Sequence, residues 1–248
     1  MRTVVVGASG GLGRCIATGL ARRGHHVAVL ARRYDKLADA AKEAGPGTLA
    51  IACDVTDAGS CRTAVAEAVA GLGGIDALVY SSAFGVLRPL VATDAEAWRR
   101  TLDTNVVGAA LVTAEALPHL QASRGVAAYL SSHSASETPA WPGLGAYVVS
   151  KAALDKLVEA WRAEHPDVGF TRVVVGDTAG GQGDSATQFA AEWDRDLFAE
   201  YFQVWVERNY ITGALVDAEA VVQAVESVLS SGAAHSIPSI TIMARPRP

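Results

Sequence analysis

The 248-residue chain has little cysteine, little net charge and no long uncharged apolar run. Its three cysteines, Cys15, Cys53 and Cys61, are an odd set without metal-ligand spacing. That argues against a disulfide framework or a thiolate metal centre and fits reduced thiols in a cytoplasmic protein. The net charge of −5 and a pI near 5.7 argue against a nucleic-acid partner or an anionic-membrane surface. No apolar stretch approaches the roughly 18 residues that a membrane span requires. The sequence also shows no internal repeats and no low-complexity segment. The adjacent His25 and His26 fall on opposite faces of a strand and have no third ligand nearby, so no metal is expected. Arg2 to Val6 already reads as structure, so no secretory leader is expected ahead of it.

What is present is an alternation of strands and helices. Half the residues are apolar, enough for the core of one α/β domain over 1–248. Thr3 to Val6 is a β-branched run ending at glycine, a buried parallel strand. Further strands are expected at His26 to Ala31, Thr48 to Ala52, Asp76 to Tyr80, Val126 to Ser131, Val168 to Val175 and Ile237 to Met243. Helices fall between them, including a long one from Gly145 to Glu164 closed by Pro166. Thr93 and Glu96 have capping-box spacing for a helix running to about Leu117. The pattern predicts a doubly wound, Rossmann-type three-layer sandwich around a mostly parallel sheet. An irregular stretch at about 177–213 opens with glycines and then carries Phe189, Trp193, Phe198, Tyr201, Phe202, Trp205 and Tyr210. It reads either as a substrate lid at the carboxyl end of the sheet or as an amphipathic helix pair completing the core.

The turn Gly7-Ala8-Ser9-Gly10-Gly11-Leu12-Gly13 joins the first strand to the first helix. Glycines there permit positive φ and close approach of backbone to a pyrophosphate, and the helix N-terminus supplies free N–H groups. Arg32 and Arg33 follow the second strand, where an adenosine ribose would lie. A planar cation there matches a 2′-phosphate and points to NADP(H). Asp35 is close enough to keep NAD(H) as the alternative. Asp54 after the third strand can accept from an adenine amino group, or cap the next helix, although Thr56 or Asp57 is better placed for capping.

Tyr147 and Lys151 are four residues apart and share one helix face. A phenol beside an ammonium is a proton-transfer device. One cation about 4 Å away at a dielectric near 20 contributes roughly 4 kcal/mol before desolvation. At about 1.36 kcal/mol per unit, a phenol pKa lowered by about two or three units is expected.

Gly7-x-x-x-Gly11-x-Gly13, Asp54-Val55, Asn105-Val106-x-Gly108, Ser131-Ser132 and Tyr147-x-x-x-Lys151, in this order, resemble the short-chain dehydrogenase/reductase family over nearly the whole chain. The resemblance implies a seven-stranded sheet and a nicotinamide-dependent oxidoreductase acting on a small-molecule carbonyl or alcohol. It also implies a homodimer or homotetramer built on the helices carrying Asn105 and Tyr147. By that resemblance Tyr147 is the general acid, and Lys151 holds the nicotinamide ribose. Asn105 holds a water through its side chain or its backbone carbonyl, and a serine at the end of the fifth strand binds the substrate oxygen. Strand alignment selects Ser132; spacing from the tyrosine selects Ser134. Two turns depart from the family. Ser81-Ser82-Ala83 replaces the usual asparagine pair near the adenosine ribose. Gly176-Asp177-Thr178 replaces a Pro-Gly turn near the nicotinamide amide. Gly176 and Thr178 remain candidates there, while Asp177 would repel a polyanion unless turned away. The alternative to catalysis is an NADP(H)-binding redox sensor or scaffold; within enzymes, it is a dehydratase or epimerase.

Overall fold

The computed structural model describes residues 1–211, 213–231 and 235–245. Residue 212 of the expected insertion lies outside them, as do 232–234 and 246–248 of the expected single domain. Among the described residues seven strands form one sheet: β1 (Arg2–Val6), β2 (His26–Ala31), β3 (Leu49–Ala52), β4 (Ala77–Tyr80), β5 (Val126–Ser132), β6 (Gly169–Val175) and β7 (Ser239–Ile242). Their order is β3-β2-β1-β4-β5-β6-β7, and every pairing is parallel.

Both faces of the sheet are buried, which is why β1 is a run of valines rather than an alternating strand. Val4 and Val6 face one layer with α3 (Ala58–Leu72), α5 (Gly108–Ser123) and α7 (Gly145–Glu164). Val5 faces the other layer with α1 (Gly11–Arg22), α2 (Tyr34–Ala44) and α9 (Ala218–Leu229). The chain builds outward from β1 through β2 and β3, then returns to start again at β4. The strand order therefore reverses between β1 and β4, and the crevice beyond their carboxyl ends is where such sheets bind ligands.

One helix boundary differs from the sequence expectation. Asp94, not Thr93, caps α4 (Ala95–Leu102), accepting from the Ala97 N–H at 2.8 Å. The Thr93 hydroxyl instead donates to the Pro89 carbonyl at 3.0 Å. After α4 the chain makes one wide π turn, Asp103–Val107, and α5 then runs past Pro118 to Ser123 rather than ending near Leu117. The π turn is held by Tyr80 at the end of β4, whose hydroxyl donates to the Thr104 carbonyl at 2.5 Å. The stretch after β6 contains a genuine helix, α8 (Arg195–Glu207), capped by Asp194. No described helix is long and apolar enough to cross a membrane.

Candidate active site

The glycine turn sits at the switch point between β1 and β4. Gly7 and Gly11 have φ of +84° and +54°, a region that strongly favours glycine. A Cβ on Gly13 would lie 2.4 Å from the Gly7 carbonyl oxygen and from Ser81 Oγ, so that position admits only glycine. Gly10 precedes α1 without a side-chain cap, leaving the first amides of the helix, from Gly11 and Leu12 onward, for an anion. The substituted turn after β4 has its own fastening. Ser81 donates its hydroxyl to the Val6 carbonyl at 2.6 Å, and Ser82 backbone packs against Gly7. Small side chains here, with Ala83 following, thus allow β1 and β4 to close on one another.

Arg33 reaches back over the turn and donates to Ser9 Oγ at 3.2 Å. Against the rise that burial alone would cause, the two Thr56 hydrogen bonds hold the Asp54 carboxyl below the usual range, with a smaller contribution from the exposed Arg32 nearby. Asp54 Oδ1 accepts from the Thr56 N–H and hydroxyl at 3.0 and 2.8 Å, while Asp57 caps α3. Val55 is buried beside them in the core.

On α7, Tyr147 and Lys151 lie one turn apart beneath the end of β5. The Lys151 ammonium is 2% exposed and donates to the Leu130 carbonyl at 2.7 Å. It stands 5.8 Å from the Tyr147 ring centroid. Burial pulls Lys151 down to about 8, with Asp155 opposing. The same burial pushes the Tyr147 hydroxyl up to about 12, with the Ser132 hydroxyl working against that rise. The lowered phenol expected from the sequence is therefore not what the structure holds. The ammonium is itself desolvated and bonded to a carbonyl, and loss of water outweighs its attraction.

Ser132 ends β5, and its hydroxyl is the one that bears on Tyr147. Ser134 is buried and follows in the short helix α6 (His133–Ser136), with the two hydroxyls 2.9 Å apart. Asn105 lies in the π turn. Its amide oxygen accepts from the Phe84 N–H at 2.7 Å, and its nitrogen donates to the Phe84 carbonyl and to Ser150 Oγ, both at 2.8 Å. The Asn105 side chain is thus committed to clamping the β4 loop onto α7, and of the two groups expected to hold a water only its backbone carbonyl remains. Ser150, which also donates to the Tyr147 carbonyl, was not singled out from the sequence; its place directly before Lys151 was the available signal.

After β6, the Gly176 N–H continues the ladder to the Ile242 carbonyl at 2.9 Å, so that donor is not free for a ligand. Thr178 Oγ1 accepts from the Gly180 N–H at 3.1 Å. Asp177 is turned aside, its Oδ1 3.2 Å from His133 Nε2, which is the condition the sequence required of it. The following segment folds back over the cleft. Asp184 and Gln188 lie against Gly10, and Thr187 against Gly11. The Phe189 ring centroid is 4.7 Å from that of Tyr147. Phe189 packs on Trp193, whose indole donates to the Gly85 carbonyl at 2.9 Å. Beyond it, Trp205, Trp141 and Tyr210 form a cluster of their own.

The buried lysine makes stability depend on pH. Its folded value, about 8, lies below the ordinary 10.5. Between them the unfolded chain binds more protons, so the Lys151 contribution is fully present above the ordinary value and is lost as pH falls through the folded one. Denaturant unfolding near pH 8 and pH 10 should show wild type gaining stability relative to Lys151→Met over that window. Parallel curves would mean that Lys151 is not desolvated.

The model of the short chain dehydrogenase family matches residues 2–195. An 11-beta-hydroxysteroid dehydrogenase A of Sesamum indicum is 35% identical over 181 residues, covering 70% of this chain and 51% of the relative. An 11-beta-hydroxysteroid dehydrogenase-like protein 4A of Arabidopsis thaliana is 30% identical over 233 residues, 90% and 72% of the two chains. This chain spans about half the length of most of the curated hydroxysteroid dehydrogenase relatives it matches. Among solved structures, an alcohol dehydrogenase from Thermococcus sibiricus, complexed with 5-hydroxy-NADP, superposes with a TM-score of 0.82 at 22% identity, over 99% of this chain and 97% of that one. With a family model covering most of its length and the same sheet, the chain belongs to the short-chain dehydrogenase family.

Proposed function

We propose that the chain is an NADP(H)-dependent oxidoreductase moving hydride between nicotinamide and a hydrophobic carbonyl or alcohol, with Tyr147 as its general acid/base. The observation that carries this is the placing of Tyr147 and Lys151 one turn apart on α7 against the end of β5, where Ser132 stands. The dinucleotide supplies or accepts the hydride when bound. Gly7 to Gly13 fit its pyrophosphate through the positive φ of Gly7 and Gly11 and the uncapped first amides of α1, once the stretch against Gly10 and Gly11 has lifted. Arg33, stationed over the turn, and Arg32 would hold a 2′-phosphate. Asp54 would take the adenine amino group through Oδ2, because Oδ1 is used by Thr56.

The proton chemistry belongs to α7 and β5. Ser132 Oγ would orient the substrate oxygen, and Tyr147 Oη would deliver its proton there. A phenol pushed up to about 12 is protonated at neutral pH, which suits the reducing direction. Lys151 would hold ribose hydroxyls through the ammonium protons that Leu130 does not use. The aromatic series from Phe189 to Trp205 supports a bulky apolar substrate, as do the names of the hydroxysteroid dehydrogenase relatives. The segment 180–189 is the lid in this reading. It lies against the turn that would receive pyrophosphate, so loading requires it to lift and reclose. Val107, just ahead of α5, and Val149, on α7, stand exposed. They support a homodimer or homotetramer through those helices, and light scattering should read two or four chains per particle, shifted to monomer by Val149→Glu.

Tyr147→Phe removes only the transferable proton. Its turnover of an NADPH-reducible hydrophobic ketone should fall about 10²- to 10⁴-fold with NADPH binding retained. Full turnover would refute the role of Tyr147. Binding of NADPH by wild type without turnover across a carbonyl and alcohol panel would favour a sensor or scaffold. Arg32→Ala combined with Arg33→Ala should cost NADPH at least about tenfold in affinity and leave NADH nearly unchanged; equal losses would remove the 2′-phosphate assignment.

A further inference from the structure

The face of α7 that carries Tyr147 and Lys151 carries one more ionisable group, Asp155, another turn along. Acids are seldom buried without a partner, yet Asp155 is 5% exposed and lies among core residues of α7, β5 and β6. Its Oδ2 accepts from Arg172 Nη1 at 3.2 Å, and Arg172 projects from β6. Its Oδ1 and Ser131 Oγ are both buried and neither makes a hydrogen bond of good geometry, although the Ser131 hydroxyl lies close enough to favour the carboxylate. This arrangement is costly in isolation, because a carboxylate left partly unbonded in the interior loses its hydration.

We propose that Asp155 is a positioning residue for the active site: anchored by Arg172 one turn beyond Lys151, its carboxylate is the counter-charge that keeps the buried Lys151 ammonium protonated and fixed on the Leu130 carbonyl. The inference rests on the functional reading of Lys151 for its consequence, but not for its test. Three observations carry it. The i, i+4 spacing puts the two groups on one helix face. Asp155 bears on the Lys151 ammonium through space, without a direct ion pair, and opposes the burial that strips the proton. The remaining groups around the pair cannot take its place. Tyr147 on the same helix is neutral at ordinary pH, and Arg172 from β6 has the wrong sign. β5 offers only the Leu130 carbonyl and the hydroxyls of Ser131 and Ser132. The π turn offers the uncharged Asn105, already bonded to Phe84 and Ser150. Asp155 is itself pushed up by burial, with Ser131, Arg172 and Lys151 opposing. The two charges therefore sustain each other, and Arg172 keeps the acid ionised from the far side.

The test reads Lys151 directly. The ε-carbon shift of isotope-labelled lysine, followed against pH, gives the Lys151 midpoint. Lys151→Met identifies the signal, and the exposed Lys36, Lys42 and Lys156 serve as references. Asp155→Asn keeps the shape and an oxygen for Arg172 but removes the charge. Its Lys151 midpoint should fall by about one to three pH units, while Asp155→Glu should hold it near the wild-type value. NADPH affinity in Asp155→Asn should then weaken from a correspondingly lower pH, with KM for NADPH rising before kcat falls. An unmoved midpoint in folded Asp155→Asn would overturn the proposal. Because the midpoint is read without dinucleotide, it decides the role of Asp155 even if wild type failed to bind NADPH, a result that would count against the functional reading alone.

Discussion

An ammonium taken out of water loses hydration worth several kcal/mol unless the protein replaces it. Lys151 is such a group, and much of the surrounding architecture answers to it. The carbonyl that receives it belongs to β5, the tyrosine it accompanies is one turn earlier on α7, and the acid behind it is tied to β6. Helix and strands are thereby fixed in relative height as well as in distance. Ser132, at the very end of β5, inherits that precision, and its hydroxyl opposes the burial that raises the phenol.

A second constraint comes from the backbone at the switch point. β1 and β4 are both followed by small residues, and the two turns interlock: Gly7 against Ser82, Gly13 against Ser81. The family resemblance leads one to expect an asparagine pair at this position. Here a serine hydroxyl bonded to Val6, together with the Asn105 amide clamped on Phe84, fastens the loop. The substituted turn after β6 has a parallel solution, since His133 draws Asp177 away from the cleft.

The alternation of β-branched runs with amphipathic helices made the layered sheet legible, because burial on both faces leaves an unambiguous mark on β1, β4 and β6. The long helix α7 was legible to the residue, since glycine opens it and Pro166 follows it. The cap of α4 was not: Thr93 and Asp94 are both competent, and only the fold places the Pro89 carbonyl where it captures the threonine. The π turn was equally hidden, being created by Tyr80 reaching from another element. At the site, spacing reveals Tyr147, Lys151 and Asn105, but not the burial that raises the phenol in the chain alone. Pair electrostatics can be read from an i, i+4 interval; desolvation depends on everything packed around the pair. Asp155 was passed over for the same reason, as it resembles any acid on a helix until its burial is known.

Gly85 sets the headroom of the cleft. A Cβ there would stand 2.7 Å from the Phe189 ring and 3.1 Å from that of Tyr147. The aromatic roof rests on the tyrosine only because position 85 has no side chain, while the same residue's carbonyl moors Trp193. Any methyl group at that point would prop the roof open and loosen its mooring at once. The distance between the Phe189 ring and the phenol beneath it is thus written in a residue that has no side chain of its own.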